Sequence, residues 1–190
     1  VEWASFLRPD IPVHVDASCK RSRIYHDGAA AQRVAKAISQ TIGAPIDENA
    51  ALRVMVRIED DLVTISLDTT GESLHKRGFK EAVNKAPMRE TMAAMFLRQC
   101  GYEGSEPILD PMCGSGTFPI EAAEIALGLH PGRERNFAFE QLPSFDRRAW
   151  TDLRAGQATR PSDLLFYGSD RDAGAIRMAA ENATRAGVAA

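Results

Sequence analysis

The stretch Asp110-Pro111-Met112-Cys113-Gly114-Ser115-Gly116-Thr117 constrains this chain more than any other. A short apolar run, Pro107-Ile108-Leu109, leads into it, and a helix-like segment from Phe118 to Leu127 leads out. An acidic residue ends a strand, a Gly-x-Gly turn follows, and a helix begins. Glycine has no Cβ and tolerates positive φ, so such a turn lets bare backbone N–H groups approach a ligand closely. An α/β sheet holds a nucleotide-like molecule in this way, at the carboxyl ends of its strands. A phosphate loop requires Gly-Lys-Ser/Thr after its glycines; here Gly116 is followed by Thr117 and Phe118. A dinucleotide fingerprint requires a third glycine three residues on, where this chain has Pro119.

An acidic residue four positions before Gly-x-Gly fits a third reading. The Asp-Pro-x-x-Gly-Ser-Gly-Thr form resembles the S-adenosylmethionine loop of Rossmann-like methyltransferases that modify exocyclic amino groups. Other segments extend the resemblance: Val13-His14-Val15 through Ser22-Arg23-Ile24-Tyr25-His26-Asp27, Leu74-His75-Lys76-Arg77-Gly78-Phe79, Ala86-Pro87-Met88-Arg89-Glu90-Thr91, and Gly168-Ser169-Asp170-Arg171-Asp172 with its following helix. Together they resemble the THUMP-containing RNA guanine-N2 methyltransferases, especially the bacterial enzymes of large-subunit ribosomal RNA.

The resemblance implies an α/β chain. A partial THUMP-like α+β RNA-binding domain would cover residues 1–70, and the first part of a Rossmann-like class I methyltransferase domain residues 71–190. It further implies S-adenosyl-L-methionine as cofactor, RNA as partner and ribosomal guanine-N2 as target. Transfer RNA guanine, DNA adenine and a non-catalytic RNA-binding module are the alternatives. The family's Asn-Pro-Pro-aromatic catalytic motif is absent, and no Asn-Pro pair occurs in the sequence. The chain therefore reads as a fragment, inactive alone, with no catalytic residue to name. Only two sheet strands of the second domain are expected, so a further segment or partner chain is expected to complete the sheet.

There is no apolar run fit to span a bilayer and no basic-then-apolar leader, so a cytoplasmic protein is expected. Cys19, Cys100 and Cys113 form no Cys-x-x-Cys pair and are odd in number, which favours reduced thiols over disulfides or a metal site. Cys113 reads as a small side chain in the loop rather than a nucleophile. The net charge of −3 argues against RNA binding, but binding follows the local field. Between Cys19 and Lys36 five basic residues (Lys20, Arg21, Arg23, Arg33, Lys36) face only Asp27. Between His75 and Glu90 five more (Lys76, Arg77, Lys80, Lys85, Arg89) face Glu81 and Glu90. Given the resemblance, Lys20, Arg21, Arg23, Lys76 and Arg77 are the candidate RNA contacts. Without it, two solvated faces would be the better reading.

Val13 to Asp16 reads as a strand. A helix from Gly28 to Ile42, capped by Asp27, would bury Ala30, Val34, Ala37, Ile38 and Thr41. Leu52–Ile58 and Leu62–Leu67 alternate as hairpin strands around Glu59-Asp60-Asp61, giving a helix with antiparallel strands. Pro87 opens a helix to about Gln99 with a core stripe of Met88, Met92, Met95, Phe96 and Gln99. The cofactor strand, Glu106 to Asp110, and the helix Thr117 to Leu127 follow, with Ile120, Ala123, Ala126 and Leu127 facing the sheet. Residues 128–163 carry prolines, six arginines and several aromatics and read as a partly ordered insertion. Leu164–Gly168 is the second strand, followed by a helix from about Asp172 to Ala186.

Gly114 and Gly116 would lie along the methionine and ribose of the cofactor, with Pro111, Met112, Cys113, Ser115 and Thr117 completing the loop. Asp110 would accept from the cofactor amino group. Asp170 would grip the ribose hydroxyls, as acidic residues do in dinucleotide folds. Asp172 reads as a helix cap. Arg89 and Glu90 are weaker cofactor candidates, a solvated charged pair being the rival reading. The target base would have to leave its stack to reach the methyl group.

Overall fold

A β-α-β unit with a hairpin strand added makes up the amino-terminal part of the fold. The computed structural model describes residues 1–80, 87–156 and 159–189. Glu81, Lys85 and Ala86, which enter the expectations above, lie outside the described residues. The chain divides into two compact units, one of Val1–Glu72 with Asn136–Arg147, the other of Ser73–Arg135 with Arg148–Ala190. The stretch expected as an insertion is thus shared between both.

In the first unit, β1 (Val13–Lys20) and β2 (Leu52–Glu59) pair in parallel, joined by α1 (Asp27–Ile42); β3 (Leu62–Asp68) pairs antiparallel with β2. The sheet is therefore mixed, not antiparallel throughout, because a helical crossover returns the chain in the same direction. Leu52, Val54, Val56 and Ile58 are all buried while Arg53, Met55 and Arg57 face outward, as strand alternation requires. Asp60 and Asp61 both take positive φ, +52° and +62°. Two such residues in succession form the tight turn whose twist matches a hairpin.

β1 runs four residues past the expected end. Ala17 to Lys20 follow no clean alternation, but all four are held by register against Val56 to Glu59. The α1 cap is His26, whose Nδ1 accepts from Ala29 N–H at 3.1 Å. Asp27 instead accepts from the Cys19 amide at 2.7 Å. The buried stripe of α1 includes Ala30, Val34, Ala35, Ile38 and Ile42, whereas Ala37 and Thr41 are exposed. The core of this unit also holds Trp3, Leu7 and Ala138.

The second unit contains α2 (Glu90–Gln99), β4 (Ile108–Asp110), α3 (Thr117–Leu127), β5 (Phe166–Gly168) and α5 (Ala173–Arg185); α4 (Arg147–Ala155) begins at the boundary. β4 and β5 pair in parallel, Ile108 against Phe166 through Asp110 against Gly168. Both strands are shorter than expected. Ile108 and Phe166 pack with Leu97, Tyr102, Ala122, Phe118 and Ile125. α2 starts at Glu90, with Pro87 three residues outside it, and buries Glu90, Ala93 and Leu97. Met92 and Met95 are exposed, so the methionine stripe is not core. α3 has the expected bounds but is buried nearly all round, with Glu121, Ala122 and Glu124 inside and Leu127 only half-buried. Among the described residues no helix is long and apolar enough to cross a membrane.

Candidate cofactor site

The glycine turn is fastened to the end of the neighbouring strand. Asp110 C=O accepts from Ser169 N–H and Ser169 C=O accepts from Cys113 N–H, both at 2.9 Å. Gly114 N–H donates to Asp170 Oδ2 at 3.0 Å, and Asp172 N–H donates to Asp170 Oδ1 at 2.9 Å. These amides hold the Asp170 carboxyl below its ordinary range, the Asp172 amide most strongly. Asp110 folds over its own turn, accepting from Met112 N–H at 3.0 Å. The structure therefore brings Asp110, Gly114 and Asp170 together. Asp172 caps α5 through Gly174 N–H at 2.7 Å, as expected.

The two glycines do different work. Gly116 sits at φ +84°, and a Cβ there would meet Ala179 Cβ at 3.0 Å and Ile120 Cδ1 at 3.3 Å. Gly114 sits at φ +53° with nothing within 4 Å of where its Cβ would be. The space above Gly114 is open to a ligand, while Gly116 is bare so that α5 can approach. Cys113 is buried, its thiol pushed up by burial and then by the nearby Asp110 and Asp170 charges. It packs with Pro119 over Gly168, where an added Cβ would meet Sγ at 2.9 Å. That environment suits a spacer and not a nucleophile. The three cysteines are all free thiols.

Beneath the loop lie polar groups that no motif announces. Asn182 is fully buried and donates to Ser115 C=O at 3.0 Å. It is itself held by Arg185 Nη2 at 2.6 Å, and Arg185 Nε donates to Phe79 C=O at 2.9 Å. Lys80 Nζ donates to Thr117 Oγ1 at 2.8 Å and to Met88 C=O at 3.0 Å, and lies 3.5 Å from Glu90. One ammonium thereby ties the first turn of α3 to the lead-in of α2. Glu90 is buried against this lysine, so it is not half of a solvated pair, while Arg89 is exposed at the α2 cap. An interior asparagine in α5 was the only signal available in sequence for Asn182.

The expected RNA contacts fare unevenly. Arg77 is buried, its guanidinium in a two-pronged pair with Glu121 at 3.1 Å on each prong. It has no surface to offer a phosphate; its role is to neutralise a carboxylate inside the second unit. Arg21 pairs with Asp60 and Glu59 at 2.9 Å each, Lys20 lies 3.8 Å from Glu59, and Arg23 lies 3.5 Å from Asp61. The hairpin turn thus brings three carboxylates to these cations, which the local charge count along the chain could not reveal. Arg57 also pairs with Glu59. Lys76 is exposed.

Glu124 is the second buried carboxyl of α3. Arg133 Nη1 lies 2.5 Å from its Oε1, yet neither oxygen has an aligned hydrogen-bond donor among the described residues. Burial dominates and raises its pKa from 4.5 to about 7, with the neighbouring Glu121 adding to the rise and Arg133 opposing it. An acid whose pKa is raised on folding gives stability below its unfolded value and loses it as pH climbs through the folded value. Glu124 should therefore cost the fold up to about 3 kcal/mol between pH 4.5 and 8. Chemical denaturation of Glu124→Gln should show a flatter pH profile and greater stability than the parent at pH 8. An unchanged slope would contradict this assignment.

The UPF0020 profile, described as RMKL-like methyltransferase domain, matches residues 77–190, more than half of the chain. The chain belongs to the RMKL-like methyltransferase domain family. Among relatives, the Ribosomal RNA large subunit methyltransferase K/L of Vibrio campbellii is 39% identical over 74% of this chain and 21% of its own length. That of Aliivibrio salmonicida is 35% identical over 99% of this chain and 29% of its own. The chain thus spans less than a third of these curated relatives. A predicted N6-adenine-specific DNA methylase from Listeria monocytogenes has TM-score 0.86 and 33% identity, covering 99% of this chain and 52% of that one. SMU.472, a putative methyltransferase complexed with SAH, has TM-score 0.82 and 30% identity, covering 98% of this chain and 52% of that one. The structural likeness thus runs over both units of this chain.

Proposed function

We propose that this chain is the cofactor-binding part of an S-adenosylmethionine-dependent RNA methyltransferase, acting on guanine-N2 of large-subunit ribosomal RNA. The observation that carries the reading is the glycine turn clamped by Asp170, with open space over Gly114. The likeness to a structure holding SAH, and to relatives named for ribosomal RNA, supports it. The donor set fits such a cofactor: carboxylates at two adjacent strand ends, and a glycine bend bare enough for the ligand to lie against backbone.

The cofactor supplies an already activated methyl group when bound. The residues of this chain orient it and exclude water. Gly114 and Gly116 would lie along its methionine and ribose, and Asp110 would accept from its amino group. Asp170 would hold the ribose hydroxyls through lone pairs left over from the Gly114 and Asp172 amides. Pro111, Met112, Cys113, Ser115 and Thr117 shape the turn. Arg89 remains an exposed candidate at its rim, while Glu90 acts through Lys80. The first unit would serve as a THUMP-like RNA-binding element, with Lys20, Arg21, Arg23 and the exposed Lys76 of the second unit as candidate contacts.

Titration calorimetry with S-adenosylhomocysteine should show one site on this chain. Asp170→Ala should weaken it roughly tenfold or more, since it removes both a ribose acceptor and the anchor of the Gly114 amide. No heat with the parent chain would overturn the cofactor reading. The Listeria neighbour's description favours one alternative, an adenine-N6 methyltransferase of DNA. In the same titration format, DNA binding that outcompetes ribosomal RNA would favour that alternative.

A further inference from the structure

A group of basic side chains without carboxylate partners among the described residues lies on the second unit, away from the glycine turn. A cavity of about 430 Å³ opens at the carboxyl end of α3, walled by Arg98, His130 and Arg160 together with Glu103, Glu124 and Leu129. Arg98 closes the last turn of α2, and Arg160 is pinned by its own amide, which donates to Leu127 C=O at 2.9 Å. The side chains of Arg98, His130 and Arg160 are exposed and make no ion pair or side-chain hydrogen bond among the described residues. That sets them apart from Lys20, Arg21, Arg23 and Arg77, each of which faces a carboxylate.

The opposing charges at this cavity are limited. Glu124 is buried at the floor beside Arg133, and Glu103 is the remaining carboxylate of the wall. The helix end contributes little negative field. Its Glu124 carbonyl accepts from Leu129 N–H and its Leu127 carbonyl from Arg160 N–H. Two guanidinium forks on a concave wall concentrate positive potential and match phosphate geometry, and the imidazole N–H of His130 is a further donor.

We propose that this cavity is an anion site, separate from the glycine turn, taking a backbone phosphate of the bound RNA. The inference rests on the RNA reading above. α3 has eleven residues, so the cavity lies about 16 Å from the glycine turn, several nucleotide steps along a stacked strand. A phosphate held there would fix the strand's register while a base enters the cofactor site.

The test is the full chain with a fluorescein-labelled single-stranded RNA, read by anisotropy across a salt series. Arg98→Ala/Arg160→Ala should weaken binding about tenfold or more and lower the salt slope by about 1, the share of one phosphate contact. Arg177→Ala/Lys36→Ala, which removes the same number of exposed charges that make no ion pair among the described residues, should do neither. S-adenosylhomocysteine affinity should be equal in all three proteins, which also shows that the fold is intact. If parent and double variant bind RNA alike, with the same slope, the site is wrong while the RNA reading stands. A parent chain that binds no RNA overturns both. If inorganic phosphate gives heat with the parent that the variant loses, while RNA affinity is unchanged, the cavity takes a free phosphate and the proposal fails.

Discussion

Replacing Arg77 by methionine is expected to cost about 3–5 kcal/mol of folding stability, the usual penalty for stranding one member of a buried ion pair. Glu121 would be left inside the second unit with no guanidinium on its oxygens, and its carboxyl is already pushed up by burial. Glu90 adds repulsion from the neighbouring helix. The variant should respond by taking up a proton at Glu121. Its folded pKa rises further above the unfolded value, so its deficit should be largest at high pH and shrink as pH falls. Urea denaturation at pH 8 and pH 5 reads both effects. Arg77→Met/Glu121→Leu should recover much of the loss, because removing both charges avoids their desolvation. A single variant within about 1 kcal/mol of the parent at pH 8 would show that the pair is idle.

Gly116→Val is expected to have the largest effect on the cofactor site. Residue 116 sits at φ +84°, a conformation that β-branched residues strongly resist. The added carbons would also press on Ala179 and Ile120. Backbone strain and overpacking together come to about 2–5 kcal/mol. Because the turn cannot then close on α5, S-adenosylhomocysteine affinity should fall by about a hundredfold or more, a loss of about 3 kcal/mol. Gly114→Ala is the informative contrast. Its Cβ would meet no protein atom within 4 Å. Stability should drop by only about 1 kcal/mol, from φ alone, while affinity still falls, since the new methyl group occupies ligand space. Equal affinity in Gly114→Ala and the parent would place the cofactor elsewhere.

The parts of this fold set by local chemistry were readable in the sequence. The bounds of α3 follow from a glycine turn before it and Gly128 after it. The β2–β3 hairpin follows from strict alternation around Asp60-Asp61. The association of Asp110, Gly114 and Asp170 was legible because each stands at a strand end or turn with its own signature.

What escaped reading depends on partners distant along the chain. Helical spacing alone fits both the Met88–Met92–Met95 stripe and the Glu90–Ala93–Leu97 stripe, and only packing against α3 selects the second. The basic run at Lys20–Arg23 looked like a phosphate surface until the hairpin brought Glu59, Asp60 and Asp61 against it, 38 or 39 residues later. Arg77 resembled its neighbours in composition, and nothing near it predicted Glu121, 44 residues on. Lys80 and Asn182 carry no motif. Their importance lies in the backbone carbonyls they satisfy, which exist only once the chain has folded.

The clamp on the glycine turn also sets an order of assembly. The Gly114 amide finds its acceptor 56 residues later, and the Ser115 carbonyl its donor 67 residues later. Bringing such remote groups together costs loop-closure entropy before any bond repays it. During synthesis, the turn therefore emerges well before Asp170 and Asn182, the residues that clamp it. On the cofactor reading proposed above, a nascent chain gains its nucleoside pocket only once α5 has left the ribosome, well after the signature itself has been translated.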